Sequence, residues 1–77
     1  MKFKKLEVVV LARDIPEHEL KAGDLGAIVE VYPRGGLEVE FVKVSGENQA
    51  LLTLSERDIR KIDSNDLLAT RRLAKVN

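Results

Sequence analysis

The stretch from Leu20 to Phe41, which reads LKAGDLGAIVEVYPRGGLEVEF, constrains the fold more than any other part of this chain. Its second half alternates Leu37, Val39 and Phe41 with two glutamates, and this period of two places the apolar side chains on one face of a strand. Its first half is rich in β-branched residues. The PRGG between the halves combines a proline, whose φ is fixed, with two glycines, which adopt the positive φ of a turn at no steric cost. The stretch therefore predicts a β-hairpin.

In the first strand of this hairpin, the single charge of Glu30 indicates which face is exposed. By strict alternation, Ala27, Val29 and Val31 are expected in the core. Ile28 then shares the Glu30 face and is expected to be only half covered.

The GDLG at residues 23 to 26 precedes the hairpin. Two glycines around an aspartate predict a turn or a bulge before a strand. A phosphate-binding loop is the alternative, but the lysine and hydroxyl residue of a P-loop are missing and no helix follows.

Short strands are also predicted on both sides of the hairpin. The apolar run from Leu6 to Ala12 is typical of a central strand or one covered on both faces. After Phe41 the apolar phase changes near Val42, which indicates a β-bulge. Residues 49 to 54 predict a fourth strand, and the SERD that follows predicts a capped 3₁₀ turn before a fifth strand at residues 59 to 62.

The loop between the first strand and the hairpin contains the only histidine, His18. Ile15 and Leu20 are expected to cover one end of the core, with one helical turn between them. Because His18 lies between Glu17 and Glu19, a metal site is an alternative. One histidine with neighbouring carboxylates is a poor ligand set, however, and we interpret His18 as a surface residue.

The C-terminal residues 67 to 76 predict a short helix. Leu67 and Leu73 contribute to an apolar stripe, whereas Arg71 and Arg72 lie on a mostly basic face. A helix of about ten residues is marginal alone in water, so it packs on the body, frays or orders on a partner.

Five short strands with a 3₁₀ turn before the last are typical of an all-β, five-stranded SH3-like barrel. The segments LKAGDLGAIVEVYPRGGLEVEF, LTLSERDIRKI and VVVLARDIP resemble a small bacterial family described only as a domain of unknown function. The resemblance covers residues 6 to 62, implies an SH3-like barrel and carries over no functional residues. The pattern is also similar to KOW-type and nitrile-hydratase-β-like SH3 barrels, although the basic-glycine loop of KOW domains is absent. We predict an SH3-like β-barrel over residues 1–62 and a C-terminal α-helical extension over residues 63–77.

Composition excludes several classes of protein. The chain has no cysteine, which rules out disulfides and cysteine zinc sites. No apolar run approaches the roughly 20 residues that span a bilayer. The basic start lacks the long apolar segment and cleavage site of a signal peptide. We expect a cytoplasmic protein that keeps its N-terminus, with no cofactor and no membrane partner.

The net charge is zero, whereas nucleic-acid-binding domains usually carry a basic excess. The charges are unevenly distributed, because residues 6 to 60 hold six Lys/Arg against eleven Asp/Glu and the two ends hold seven against two. Either the basic ends fold back and partly neutralise the acidic body, or one end binds an anionic partner. We favour the first interpretation.

No residue pattern indicates catalysis. Nucleophilic catalysis needs an activated nucleophile beside a base, and His18 has no context that marks a triad. Glu38 and Glu40 lie roughly 7 Å apart on one strand face, a spacing that follows from the strand rise and that suits a solvated hairpin. Side chains fill the interior of so small a barrel, so we expect no enzymatic activity.

We predict a non-enzymatic protein-interaction module with another protein as its partner, because SH3-like barrels offer loops and strand edges. The candidate interaction residues are Arg13, Glu17, His18, Tyr32, Arg34, Arg71 and Arg72.

The alternative is nucleic-acid binding through the basic termini. Few aromatic residues are available for stacking on bases: Phe3, Tyr32 and a Phe41 expected in the core. Self-association as a homo-oligomer, through an edge strand or the helix stripe, is a third hypothesis.

Overall fold

In the computed structural model, which describes residues 2 to 74, five β-strands form one antiparallel sheet. The strands are β1 (Val8–Leu11), β2 (Leu25–Val31), β3 (Leu37–Val42), β4 (Asn48–Leu54) and β5 (Ile59–Lys61). Two 3₁₀ turns, Pro16–His18 and Glu56–Asp58, precede β2 and β5. The order across the sheet is β4-β3-β2-β1-β5. The all-β prediction and the 3₁₀ turn before the last strand are confirmed.

The sheet is open, with β4 and β5 at its two edges. Within residues 2 to 74 no strand pairing joins these edges, so the expected closed barrel is not shown. Leu54 of β4 and Ile59 of β5 are nevertheless buried in one apolar cluster. The sheet therefore curves around a single core to which both edges contribute.

The core follows the predicted alternation in β3 and the predicted burial of β1. Leu37, Val39 and Phe41 are buried, and the glutamates between them are partly exposed. In β1, which lies between β2 and β5, Val9 to Leu11 are all buried. The predicted bulge is also present, because Phe41 pairs with Ala50 whereas Val42 pairs with Asn48.

In β2 the predicted face is wrong from Ala27 to Val29, whereas Val31 packs against the core as predicted. Ile28 is fully buried, whereas Ala27 and Val29 are only half-buried. The register against β3 shifts between Ile28 and Glu30, so Val29 is the extra residue of a second β-bulge. The bulge reverses the alternation, and for that reason counting outward from Glu30 assigns Ile28 to the exposed face.

The loop before β2 covers one end of the core as expected. Ile15 and Leu20 are buried, and their backbones exchange two hydrogen bonds of 2.9 and 3.1 Å. The 3₁₀ turn Pro16–His18 lies between them. The two backbone hydrogen bonds hold this lid together, and its two buried apolar side chains pack on the core.

Phe3, which the sequence offers as an aromatic side chain available for stacking, is a core residue instead. It is buried in the same cluster as Val9 and Ile59. The Nζ atom of Lys61 lies 4.8 Å from the centre of its ring. The N-terminal segment is therefore part of the fold.

The predicted C-terminal helix is wrong for the residues that are described. Residues 67 to 74 form neither helix nor strand, and positions 75 and 76 of the predicted helix lie outside the described residues. Leu67 and Leu68 are 89% and 78% exposed, and Leu73 of the predicted stripe is half-buried beside Pro16 and Leu20, so the stripe does not pack on the body along its length. A short helix without such packing is marginal. Among residues 2 to 74, no helix is long and apolar enough to cross a membrane.

Candidate interaction surface

The structure divides the seven candidate residues between two places. Arg13, Glu17 and His18 lie on the loop before β2, and Arg71 and Arg72 lie on the tail that crosses this loop. We call loop residues 13 to 24, together with residues 71 to 74 of the tail, the loop-and-tail surface. A groove in this surface is lined by Asp14, Pro16, Glu19, Leu20, Lys21, Arg71, Arg72, Leu73 and Ala74.

Tyr32 and Arg34 lie elsewhere, at the turn that joins β2 to β3. This turn and the loop-and-tail surface are at opposite ends of β2, about 20 Å apart by the rise of a seven-residue strand. The Tyr32 hydroxyl donates to Glu38 Oε1 at 2.8 Å. This hydrogen bond is the main cause of the raised pKa of Tyr32, and burial of the hydroxyl is the second cause. The two residues do not join the other five in one site.

Arg71 attaches the tail to the loop. Its Nε donates to Asp24 Oδ1 at 2.9 Å, and its Nη2 donates to Asp24 Oδ2 at 2.6 Å and to the carbonyl oxygen of Glu19 at 2.7 Å. Burial by itself raises the pKa of Asp24, but the hydrogen bonds from Arg71 and from the Lys21 amide outweigh it and leave the pKa lowered. Arg71 thus attaches the tail to the loop through three hydrogen bonds.

The GDLG turn prepares Asp24 for this role. Gly23 has a φ of 101°, a conformation that favours glycine, and its amide donates to the Leu11 carbonyl. Asp24 Oδ2 also accepts a hydrogen bond of 2.8 Å from the Lys21 amide, so the loop itself orients the carboxylate that Arg71 binds. The predicted turn is confirmed, whereas the ion pair with the tail was not predicted, because no local pattern connects the two segments.

Arg13 is occupied by the fold itself. Its Nε donates to Asp58 Oδ1 at 2.8 Å, and Asp58 Oδ2 accepts the amide and the hydroxyl of Ser55 at 2.9 and 3.1 Å. Burial raises the pKa of Asp58, but these hydrogen bonds, that of Arg13 first, leave it lowered. Arg13 therefore connects the loop to the 3₁₀ turn before β5, and Asp58 reaches back to Ser55 as predicted.

Glu17 and His18 are exposed on the 3₁₀ turn of the lid. The His18 carbonyl accepts a hydrogen bond of 3.1 Å from Gln49 Nε2, which connects the lid to β4. Within residues 2 to 74, no three His, Asp or Glu side chains come together in a way that could hold a metal ion. The side chains of Glu17 and His18 therefore lie at the surface of the lid.

Among residues 2 to 74, the basic ends form ion pairs with the acidic body at three points. Besides Arg71, Lys61 Nζ lies 2.7 Å from Glu7 Oε2, and Lys5 Nζ lies 4.0 Å from Glu30 Oε2. These contacts agree with the interpretation that the ends fold back and partly neutralise the body.

No protein of curated function and no solved structure matches the chain. A family model described as a domain of unknown function, DUF4926, matches residues 5–61. This range includes all five strands and both 3₁₀ turns, and it ends before the tail. It agrees closely with the resemblance expected over residues 6 to 62. The chain therefore belongs to the DUF4926 family.

Proposed function

We propose that this chain is a non-enzymatic protein-interaction module and that its tail, residues 67 to 74, contacts the partner protein. The observation that carries the proposal is the exposure of two adjacent large aliphatic side chains, Leu67 and Leu68, on this tail. Burying such a side chain fully contributes about 1.5–3 kcal/mol. A partner with an apolar groove would gain this contribution twice from one short segment.

The backbone of the tail supports the same proposal. No backbone–backbone hydrogen bond joins residues 67 to 74 to another described residue. Its N–H and C=O groups can therefore pair with a partner, either as an added strand or as a segment that orders on binding. Arg71 holds the tail in place, so part of the entropy cost of ordering is met before the partner arrives.

Exposed polar residues of the lid and of the tail fit the periphery of such an interface. Glu17 and His18 are exposed on the lid, and Arg72 lines the groove. In protein–protein interfaces, polar side chains of this kind surround an apolar centre. These three candidates are proposed as peripheral contacts of the leucine pair, whereas Arg13 and Arg71 are proposed to position the loop and the tail.

The curved sheet, with β1 between β2 and β5 and a 3₁₀ turn before β5, supports assignment to the SH3-like class. We include in the proposal a bacterial origin and a cytoplasmic location. Fold class alone does not determine function, and the leucine pair remains the specific basis for the interaction.

Nucleic-acid binding through the basic termini is the second candidate. Lys2, Lys4 and Arg72 favour it, because they form no ion pair with a described carboxylate. The burial of Phe3 and the ion pair of Arg71 weigh against it, since stacking and phosphate contacts both need accessible side chains.

Affinity capture tests the proposal, with the full chain as bait in a lysate of its own organism at moderate salt. We expect one protein in equimolar amount. We expect that protein to be lost with Leu67→Ser/Leu68→Ser and retained with the matched control Ala69→Ser/Thr70→Ser, which changes the next two exposed positions. Capture that persists with the leucine variant, or no reproducible protein, would contradict the proposal. Capture that nuclease or salt removes would favour the nucleic-acid candidate.

A further inference from the structure

The two edges of the sheet differ in how they are protected. At one edge, β5 has three residues, and two of them are the cations Arg60 and Lys61, paired with Asp66 and Glu7. Short, charged edges resist pairing with another chain. The other edge, β4, has seven residues with no charge and no proline. Within residues 2 to 74, no strand pairs with its outer side.

We propose that the β4 edge binds the β4 edge of a second copy of this chain, so that two five-stranded sheets join into one. The proposal is independent of the tail surface, because it concerns a different edge and different residues. It rests on the side chains of β4, on their complementarity in an antiparallel pair and on the charges of the neighbouring strand.

Both faces of β4 have apolar side chains that another strand would cover. Leu51, on the solvent face, is 52% exposed. Ala50 and Leu52, on the inner face, pack against the core but are only half-buried at this open side of the sheet. A strand added beside β4 would cover the remaining area of all three side chains and would extend the core by one row.

The strand is complementary to itself when two copies run antiparallel about a two-fold axis at Leu51. Leu51 then faces its own copy, Ala50 faces Leu52 of the second chain, and Gln49 faces Thr53. No pair places like charges opposite each other, because β4 has none. The Ala50–Leu52 and Gln49–Thr53 contacts each occur twice and Leu51 meets its copy on the axis, so the interface is self-complementary and forms a closed dimer rather than an open fibre.

The carboxylates of β3 do not oppose this arrangement. Glu38 and Glu40 lie on the neighbouring strand, opposite Thr53 and Leu51. Across the joined sheet the two β3 strands are separated by three strand spacings, roughly 14 Å. Physiological salt screens exposed charges beyond about 8 Å. The dimer is therefore apolar and backbone-driven, and we expect salt to weaken it little.

Sedimentation equilibrium of the full chain, from about 1 µM to about 1 mM, tests the proposal over the range of weak to moderate dimers. We expect a monomer–dimer equilibrium in wild type. Leu51→Lys should raise the dimer dissociation constant at least about tenfold, because it places two like charges directly opposite each other. The matched control Val44→Lys adds the same charge in the fully exposed β3–β4 turn and should leave the constant unchanged.

Far-UV circular dichroism of both variants shows whether the monomer is still folded, and amide exchange of β4 in wild type should slow as concentration rises. Leu67→Ser/Leu68→Ser should still dimerise, which separates this inference from the tail interaction. A wild-type monomer at every concentration would overturn the proposal and leave a strand of another protein as the occupant of this edge. A dimer that Leu51→Lys does not weaken, or that Val44→Lys weakens equally, would place the interface elsewhere and also overturn it.

Discussion

Arg71 and Asp24 are 47 residues apart in the sequence, and the Arg71 guanidinium binds both carboxylate oxygens of Asp24, at 2.9 and 2.6 Å. The same guanidinium donates to the Glu19 carbonyl. This contact replaces a helix as the means by which the tail is attached to the body. The Arg71 side chain therefore anchors the tail to the loop before β2.

Arg71→Ala should release the tail without unfolding the sheet. The ion pair is two-point but partly exposed, so we expect a loss of about 1 kcal/mol in the free energy of unfolding. Amide exchange in residues 67 to 74 should become faster, whereas exchange in β1 to β3 should not. Hydrogen-exchange mass spectrometry and urea titration measure the two effects. Arg72→Ala is the control, and equal effects of the two variants would contradict the anchoring role of Arg71.

Stability at low pH should depend on Asp66. Its carboxylate accepts two hydrogen bonds of 2.9 Å from Arg60 and one of 2.7 Å from the Asp63 amide, and these lower the pKa of Asp66 from 3.8 to about 2. Because the unfolded chain binds this proton more tightly, the contribution of Asp66 is present above its unfolded pKa of 3.8. It is lost as the pH falls from 3.8 to about 2.

Urea titrations between about pH 7 and about pH 2 measure this slope. Asp66→Asn and Arg60→Gln should each make it shallower below the unfolded pKa, since either change removes the ion pair. Arg57→Gln removes an exposed arginine that makes no ion pair with a described carboxylate, and it should keep the wild-type slope. An unchanged slope in Asp66→Asn would show that the ion pair does not form in solution.

The strands and turns that could be predicted from sequence are those with a visible break in pattern. Leu37, Val39 and Phe41 alternate with charges, and the change of phase near Val42 marks its bulge. The serine and aspartate of the SERD segment similarly mark the turn before β5. In these places the local sequence preferences agree with the final fold, so the local sequence is enough to predict the structure.

Other features depended on partners distant in sequence. The bulge at Val29 lies in an almost uninterrupted apolar run. Because the residues on both sides of it are apolar, the sequence shows no change where the inward and outward positions exchange. The tail has an amphipathic pattern, but Leu67 and Leu68 stay exposed, and Arg71 binds Asp24. The sequence therefore supplied candidate residues but not their arrangement: five of the seven lie on the loop or the tail, and Tyr32 and Arg34 lie at the other end of β2.

Gly26 of β2 lies against core side chains of the neighbouring strand β3 and leaves no room for a Cβ atom. A Cβ atom at this position would lie 2.7 Å from Val39 Cγ1 and 2.8 Å from Phe41 Cε1, both core side chains. Gly26→Ala should therefore lower the free energy of unfolding by about 2–3 kcal/mol through overpacking. Gly36→Ala is the control, because its Cβ would lie 3.4 Å or more from its neighbours, and it should cost less than about 0.5 kcal/mol. Equal midpoints of urea unfolding would refute the close approach.

Phe3 makes the N-terminal segment part of the core, although it precedes the first strand. Phe3→Ala should cost about 3 kcal/mol, because a fully buried aromatic side chain is lost and a cavity remains. Phe3→Leu keeps most of the apolar volume and should cost less than half as much. The exposed Val44→Ala should be neutral within about 0.5 kcal/mol.

Thermal and urea unfolding of the three variants measure this order. A domain of this size has only about 4–12 kcal/mol of stability, so the Phe3→Ala loss should be plain in either experiment. If Phe3→Ala and Val44→Ala have the same unfolding midpoints, the N-terminal segment does not pack on the sheet in solution, and the core does not include Phe3. If Phe3→Leu alone retains near wild-type stability, apolar volume holds the segment in place, and the Lys61 ammonium above the ring is a secondary contact.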